Sequence, residues 1–288
     1  IIMTMAAFKL LSPSELQSSI VFASPHSGRL YSQNFLESVI LDPLTIRTSE
    51  DAFVDELFDS VPSFGAPLLV ANVPRAFIDL NRDPVDLDPI LIKGAKFFGG
   101  KNGRSLSGFG VVPRLVSKNK SIYSGKINLD EAKQRLLDFW YPYHQCLQNI
   151  LDATRKKFGH AVLIDCHSMP HQSVNLELRE TAPPQIVLGD RFGAAASRDI
   201  VDQVHMAFSE SGFRVSRNVP FAGAYTSQKY GKPQQNQHVI QVEIDRSLYM
   251  NEATIEKLSN FSEFQITLSD VIAKIIKMDV NEDKLAAE

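Results

Sequence analysis

Two uninterrupted apolar runs, Val162-Leu163-Ile164 and Ile186-Val187-Leu188, constrain this chain more than any other feature. A strand with one wet face alternates apolar and polar residues, whereas an unbroken run must be covered on both faces, as in parallel sheets flanked by helices. Further short runs predict strands at 19–23, 67–73, 76–80, 213–216 and 238–244, with 161–165 and 185–188 containing the two buried runs. Stretches of helical period fall between them, at 51–61, 128–158, 195–211 and 255–278. Pro142 is expected to kink or divide the second helix and Gly212 to stop the third. Residues 82–120 are rich in Gly, Pro and Asp with weak periodicity, which marks a functional loop or a misread element. Alternation of this kind predicts an α/β fold.

The 288 residues fit one large domain, taken here as 1–288 with frayed ends at 1–10 and 280–288. A net charge of -3 with scattered Lys and Arg offers no basic face for nucleic acid. Two cysteines, Cys146 and Cys166, do not make a disulfide framework. No apolar run reaches the ~20 residues of a membrane helix, and the start lacks the basic and small-residue signals of a secretory leader, so a cytoplasmic location is expected. No heptad pattern specifies an oligomer.

Open sheets of this class bind ligands at the carboxyl ends of their strands. Pro25-His26-Ser27-Gly28 and Asp165-Cys166-His167-Ser168 both fall where such strands are expected to end. A catalytic zinc typically takes three protein ligands and keeps a position for water. His26 and His167 are the imidazole candidates; the third ligand is Asp51 or Glu50, with Asp51 preferred because Asp55 follows it at i+4. Glu243 falls inside an apolar strand, where an ionised carboxylate is costly unless paired or functional. Either Arg246 or Arg75 pairs with it, or it serves as a general base. Arg75, Arg82, Arg114, Arg217 and Arg246 lie at turns and strand ends, where a bidentate grip on a carboxylate is the useful function of Arg. A rival nucleophilic hydrolase using Ser27, Ser168 or Cys166 lacks a Gly-x-Ser-x-Gly elbow, and each Ser adjoins its His in sequence.

These residues belong to longer ordered motifs. They run from Ser24-Pro25-His26-Ser27-Gly28 through Asp51-x-x-x-Asp55-x-Leu57 and Val73-Pro74-Arg75 to Asp79-Leu80-Asn81-Arg82. Gly108-x-Gly110-Val111-Val112-Pro113-Arg114, Tyr143-His144, Ile164-Asp165-x-His167-Ser168-Met169-Pro170 and Val187-Leu188-Gly189-Asp190-Arg191-Phe192-Gly193 follow. Asn218-x-Pro220-x-x-Gly223 and His238-x-x-Gln241-x-Glu243-x-x-Arg246-x-x-Tyr249 complete the series. In this order the motifs resemble the N-formylglutamate amidohydrolase family over roughly residues 20–270.

The resemblance implies a three-layer α/β/α fold with a mixed, mostly parallel sheet, like that of zinc carboxypeptidases and aspartoacylases. It implies one Zn2+ per chain held by His26, Asp51 and His167, with Glu50 as the alternative carboxylate and Glu243 as general base; Arg82 is expected to be catalytic, and which arginine faces the developing oxyanion stays open. Arg75, Asn81, Arg114, Arg217, Asn218, Tyr225 and Arg246 are then expected to hold a small anionic N-acyl amino acid. The implied reaction is hydrolysis of N-formyl-L-glutamate in histidine degradation. The alternative is zinc-dependent hydrolysis of another N-acyl amino acid or short peptide. The resemblance assigns no role to His144 or His238.

Overall fold

The computed structural model describes residues 6–96, 107–116, 119–178 and 183–278. The tail 280–288, expected to fray, residues 1–5 and part of the 82–120 stretch lie outside them, whereas Phe8–Leu11 forms a strand in place of the fraying expected at 1–10. A seven-stranded sheet is formed by β1 (Phe8–Leu11), β2 (Ile20–Ser24), β3 (Leu68–Ala71), β4 (Ala161–Met169), β5 (Ile186–Gly189), β6 (Val215–Arg217) and β7 (Gln237–Asp245) in the order β1-β3-β2-β4-β7-β5-β6. The pairs β2–β4, β4–β7 and β5–β6 are parallel, and β5–β7 is antiparallel. The fold is therefore α/β with a mixed, mostly parallel sheet. All nine residues of β4 and all nine of β7 are buried, as the unbroken apolar runs require.

Contacts divide the chain into two units. One comprises Ile1–Lys9, Pro25–Ala52 and Val70–Leu147, the other Leu10–Ser24, Phe53–Leu69 and Gln148–Glu288.

The 128–158 helix begins as Leu129–Arg135 and passes through a π-helical turn at Leu136–Trp140. It then continues as Tyr141–Phe158, so Pro142 neither ends nor divides it. The Tyr141 N–H donates to Leu136 O five residues back, which widens the helix where Pro142 lacks a donor. Three residues of this helix fix the loop around position 80. Arg135 donates to Phe77 O and stacks on the Phe77 ring at 4.1 Å, Trp140 Nε1 donates to Arg82 O at 3.0 Å, and His144 Nε2 bonds Leu80 O at 2.9 Å. His144 also lies 3.9 Å from the Trp140 ring, so it has a structural place.

The strand expected at 76–80 does not form. The N–H groups of Phe77 and Ile78 both turn back to Pro74 O, and the Asp79 N–H goes to Val111 O. The alternating Ala76, Ile78 and Leu80 are buried from a loop instead of a ladder. At Gly28 the backbone passes so close to Val73 that a Cβ would lie 2.0 Å from Val73 O. This contact anchors the turn that carries His26.

The second unit corrects several boundaries. The 51–61 helix shrinks to Val54–Leu57, because Phe53 at φ 65 is left-handed and breaks any helix entering from Asp51. The strand read as 161–165 runs on to Met169, so His167 lies inside β4 and not past its end. The helix placed at 195–211 spans Arg198–Ser209. The last helix starts at Phe261, since Ile255 is left-handed and Glu256–Lys257 pairs with Met250–Asn251. Its buried stripe, Phe261, Phe264, Leu268, Val271, Ile272 and Ile275, has the 3.6-residue spacing, each residue stabilising by about 1.5–3 kcal/mol when fully covered.

His238 is a core residue of β7 whose Nδ1 accepts from the Ser197 N–H at 3.2 Å. Burial, with a smaller contribution from His160, pushes its pKa from 6.5 to about 4. An unfolded chain would take up a proton that this imidazole refuses, so its contribution to stability is present above pH 6.5 and lost as pH falls toward 4.

Two measurements check these placements. The His238 imidazole should titrate by NMR with a midpoint near 4, and a midpoint near 6.5 would contradict its burial. Gly28→Ala should lower the free energy of urea unfolding by more than about 2 kcal/mol, because the obstruction is backbone and cannot swing aside.

Candidate metal centre and active site

The register of β4 against β7 sets one face of the site. Asp165 pairs with Gln241 and His167 with Glu243, so these four side chains project from the same side of the sheet. His167 Nε2 lies 3.0 Å from Asp165 Oδ2. Gln241 uses both ends of its amide: Nε2 donates to Glu243 Oε1 at 2.7 Å, and Oε1 accepts from the Ala224 N–H at 3.0 Å. Asp165 is fully buried and Glu243 is 7% exposed. Placing such groups together out of water costs several kcal/mol per ion unless each is compensated, the usual signature of a working site.

His26 sits in the turn after β2. Its Nε2 is 2.7 Å from Asp79 Oδ1, and its Nδ1 faces Asp51 Oδ2 at 3.4 Å. Burial works to raise the Asp79 carboxyl pKa, but Arg75, His26 and Arg82 together outweigh it and hold the group well below the usual carboxylate range. A permanently charged Asp79 favours the His26 tautomer with its proton on Nε2, leaving Nδ1 to offer a lone pair. The Asp51 N–H donates to His26 O, tying the two candidate ligands together through the backbone as well.

His26, Asp51 and His167 each offer a ligand atom, and these atoms all lie within 4.8 Å of one another. Two imidazoles and a carboxylate form a donor set that suits a catalytic zinc, with a coordination position left for water. Each imidazole has a carboxylate at its Nε2, the arrangement that commonly orients histidine ligands. The residues present therefore fit a bound divalent cation. Glu50 is placed differently: it accepts from the Tyr31 hydroxyl at 2.6 Å and from Arg47 Nε and Nη2. Burial first, then the Glu50 charge, push the Tyr31 pKa far up, which keeps its hydroxyl a donor.

The remaining candidates are engaged in different ways. Arg75 bonds Asp79 at 2.9 Å, and Arg82 donates to Phe109 O and Asn81 O. The Asn81 N–H bonds Asp79 Oδ1 at 2.8 Å, and Arg114 pairs with Asp88 at 2.8 Å. Arg217 pairs with Asp202, and Tyr225 opens the Tyr225–Tyr230 helix. Asn218 gives its whole amide to Asp190 and Phe192. Arg246 bonds Ser168, which points to the other face of β4 from His167. Cys166 also points away from His167, and burial, reinforced by Asp165, pushes its thiol pKa well above the ordinary value. That weighs against a thiol nucleophile.

Sequence reasoning overlooked Asp79, Asp165 and Gln241 as functional side chains. Asp165 and Gln241 had a readable signal, standing two residues before His167 and Glu243 on strands of period two. Asp79 had none beyond its motif, since its contact with His26 is long-range.

The family model for N-formylglutamate amidohydrolase matches residues 18–250. The chain is 27% identical over 251 residues to an N-formylglutamate deformylase of Pseudomonas putida, covering 85% of this chain and 86% of that protein. It is 25% identical over 240 residues to one of Pseudomonas aeruginosa, covering 81% and 82% respectively. The solved N-formylglutamate amidohydrolase of Ralstonia eutropha JMP134 superposes with a TM-score of 0.88 at 31% identity, covering 95% of this chain and 98% of that one. With the motif order, the sheet and the donor cluster in agreement, the chain belongs to the N-formylglutamate amidohydrolase family.

Proposed function

We propose that this chain hydrolyses the N-formyl amide of N-formyl-L-glutamate to L-glutamate and formate, with zinc as its resident ion. The observation that carries the reading is the cluster of His26, Asp51 and His167, with Glu243 opposite His167 in the sheet. The relatives named as N-formylglutamate deformylases supply the substrate.

Zinc held by these ligands supplies Lewis acidity, which polarises an amide carbonyl and brings the pKa of water near neutrality. Glu243 accepts the proton of the attacking water at a carboxylate oxygen and returns it to the departing amine nitrogen. Gln241 holds that carboxylate by donating to Oε1, which fixes its rotamer for both transfers. Arg82 is the donor assigned to the developing oxyanion, where losing one such group typically costs ~3 kcal/mol of transition-state stabilisation. Arg75, Asn81, Arg114 and Tyr225 remain the proposed contacts for the substrate carboxylates. Arg217, Asn218 and Arg246, also expected to bind substrate, bond Asp202, Asp190 and Ser168.

On this reading the reaction belongs to histidine degradation and takes place in the cytoplasm. No helix among the described residues is long and apolar enough to cross a membrane.

Glu243→Gln should retain stoichiometric zinc yet lower kcat on formylglutamate by about 10²–10⁴-fold, and near-normal turnover would remove it from the base role. Metal analysis should find zinc lost from His167→Ala and Asp51→Ala but kept in Glu50→Gln. Full occupancy in either of the first two would refute that ligand. Assays on formyl-, acetyl- and succinyl-glutamate should favour formyl; equal rates would replace the substrate with a broader acyl class.

A further inference from the structure

The arginines that the sequence offered for substrate all have partners, with Arg75 on Asp79, Arg114 on Asp88, Arg217 on Asp202 and Arg246 on Ser168. Arg191 is different: among the described residues its guanidinium has no hydrogen-bond or ion-pair partner, and the residue is half-buried. It stands in a turn that the chain holds under constraint. Arg191, Phe192 and Gly193 follow one another at φ 56, 57 and 86, and non-glycine residues keep such left-handed conformations only where their surroundings enforce them.

That enforcement is visible. Asn218 Oδ1 accepts from the N–H groups of Asp190 and Phe192, and its Nδ2 donates to Asp190 Oδ1. Asp190 Oδ2 accepts from the Gly193 N–H, and the Arg191 N–H donates to Ala222 O at 2.7 Å. The backbone of the turn is therefore held on both sides of Arg191.

Two glycines place the stem of this side chain. Gly189 is the register partner of Gln241, and a Cβ there would meet Ala222 C and Gly223 N at 2.7 Å, so the 221–223 backbone crosses the face that carries Gln241 and Glu243. A Cβ on Gly223 would lie 3.2 Å from Arg191 Cγ, so the arginine runs along this same segment, whose next residue, Ala224, bonds Gln241. Glu243, Gln241 with Gly189, and the stem of Arg191 thus follow one another toward the amino end of β7, the first two separated by about 7 Å of strand. If the scissile amide lies at Glu243, the cation beyond Gln241 matches the carboxylate farther from the formyl group.

We infer that Arg191 is a specificity-determining residue that grips the side-chain carboxylate of the substrate, so that the site selects N-acylated acidic residues over neutral ones. This rests on the reaction proposed above and names the contact behind its substrate class. A guanidinium with no competing partner meets a carboxylate without first giving up an ion pair, and the fixed turn removes the backbone part of the ordering cost.

Two arms test it on the zinc-loaded enzyme. Calorimetry should show wild type binding L-glutamate more tightly than L-glutamine, with Arg191→Gln losing about 10–100-fold in glutamate affinity and little for glutamine. In turnover, Arg191→Gln should lower kcat/KM on formylglutamate by a similar factor and leave formylglutamine nearly unchanged. Arg191→Asn, which tolerates a left-handed backbone, should behave alike, and Arg191→Lys should recover part of the loss. Equal losses on acid and amide, no loss on either, or wild-type binding without preference for glutamate would each overturn the assignment. Absence of wild-type turnover would instead sink the proposed reaction, and the binding arm would still decide Arg191.

Discussion

The parallel pairing of β4 with β7 governs the chemistry of this protein. It sets His167 against Glu243 and Asp165 against Gln241, on strands whose residues are buried throughout. A slip of one residue would turn the whole set to the other face, so the register that completes the core also composes the site. His167, Glu243 and their partners are thus written into the strands that the sheet can least afford to shift, while His26 and Asp51 are carried by turns.

That placement has an energetic consequence. Asp79, Asp165, His167 and Glu243 are buried, and isolated charges there would be prohibitive. The chain compensates them by mutual contact: Asp79 with Arg75 and His26, Asp165 with His167, Glu243 with Gln241. Such compensation also orients. A carboxylate at Nε2 of each candidate histidine ligand fixes ring and tautomer, and the Gln241 amide fixes the Glu243 carboxylate from one side while anchoring Ala224 on the other.

Much of this was legible in the sequence, for stated reasons. Unbroken apolar runs announced strands covered on both faces; His26 and His167 stood out at the expected carboxyl ends of strands, and Glu243 because a carboxylate inside an apolar strand is costly. Failures came where a local pattern had two physical causes. Ala76, Ile78 and Leu80 alternate like a strand but are buried from a turn pinned by Pro74 and Val111. The 51–61 stretch has helical spacing but is cut by a left-handed Phe53 that periodicity does not register. Asp51 against Glu50 was undecidable from spacing, and the structure separates them by their partners: Tyr31 and Arg47 occupy Glu50, while Asp51 faces His26. The role of Arg191 depends on a hydrogen-bonded turn assembled by Asn218, twenty-seven residues away, which no local motif encodes.

X-ray absorption spectroscopy of the zinc-loaded protein bears most directly on the claim that these side chains hold one cation. The first shell should contain two imidazole nitrogens and carboxylate or water oxygen at about 2.0–2.2 Å, with the outer-shell scattering of two histidine rings. A sulfur shell near 2.3 Å, or scattering from a single imidazole, would mean that the metal is bound elsewhere and that the centre described here is not one.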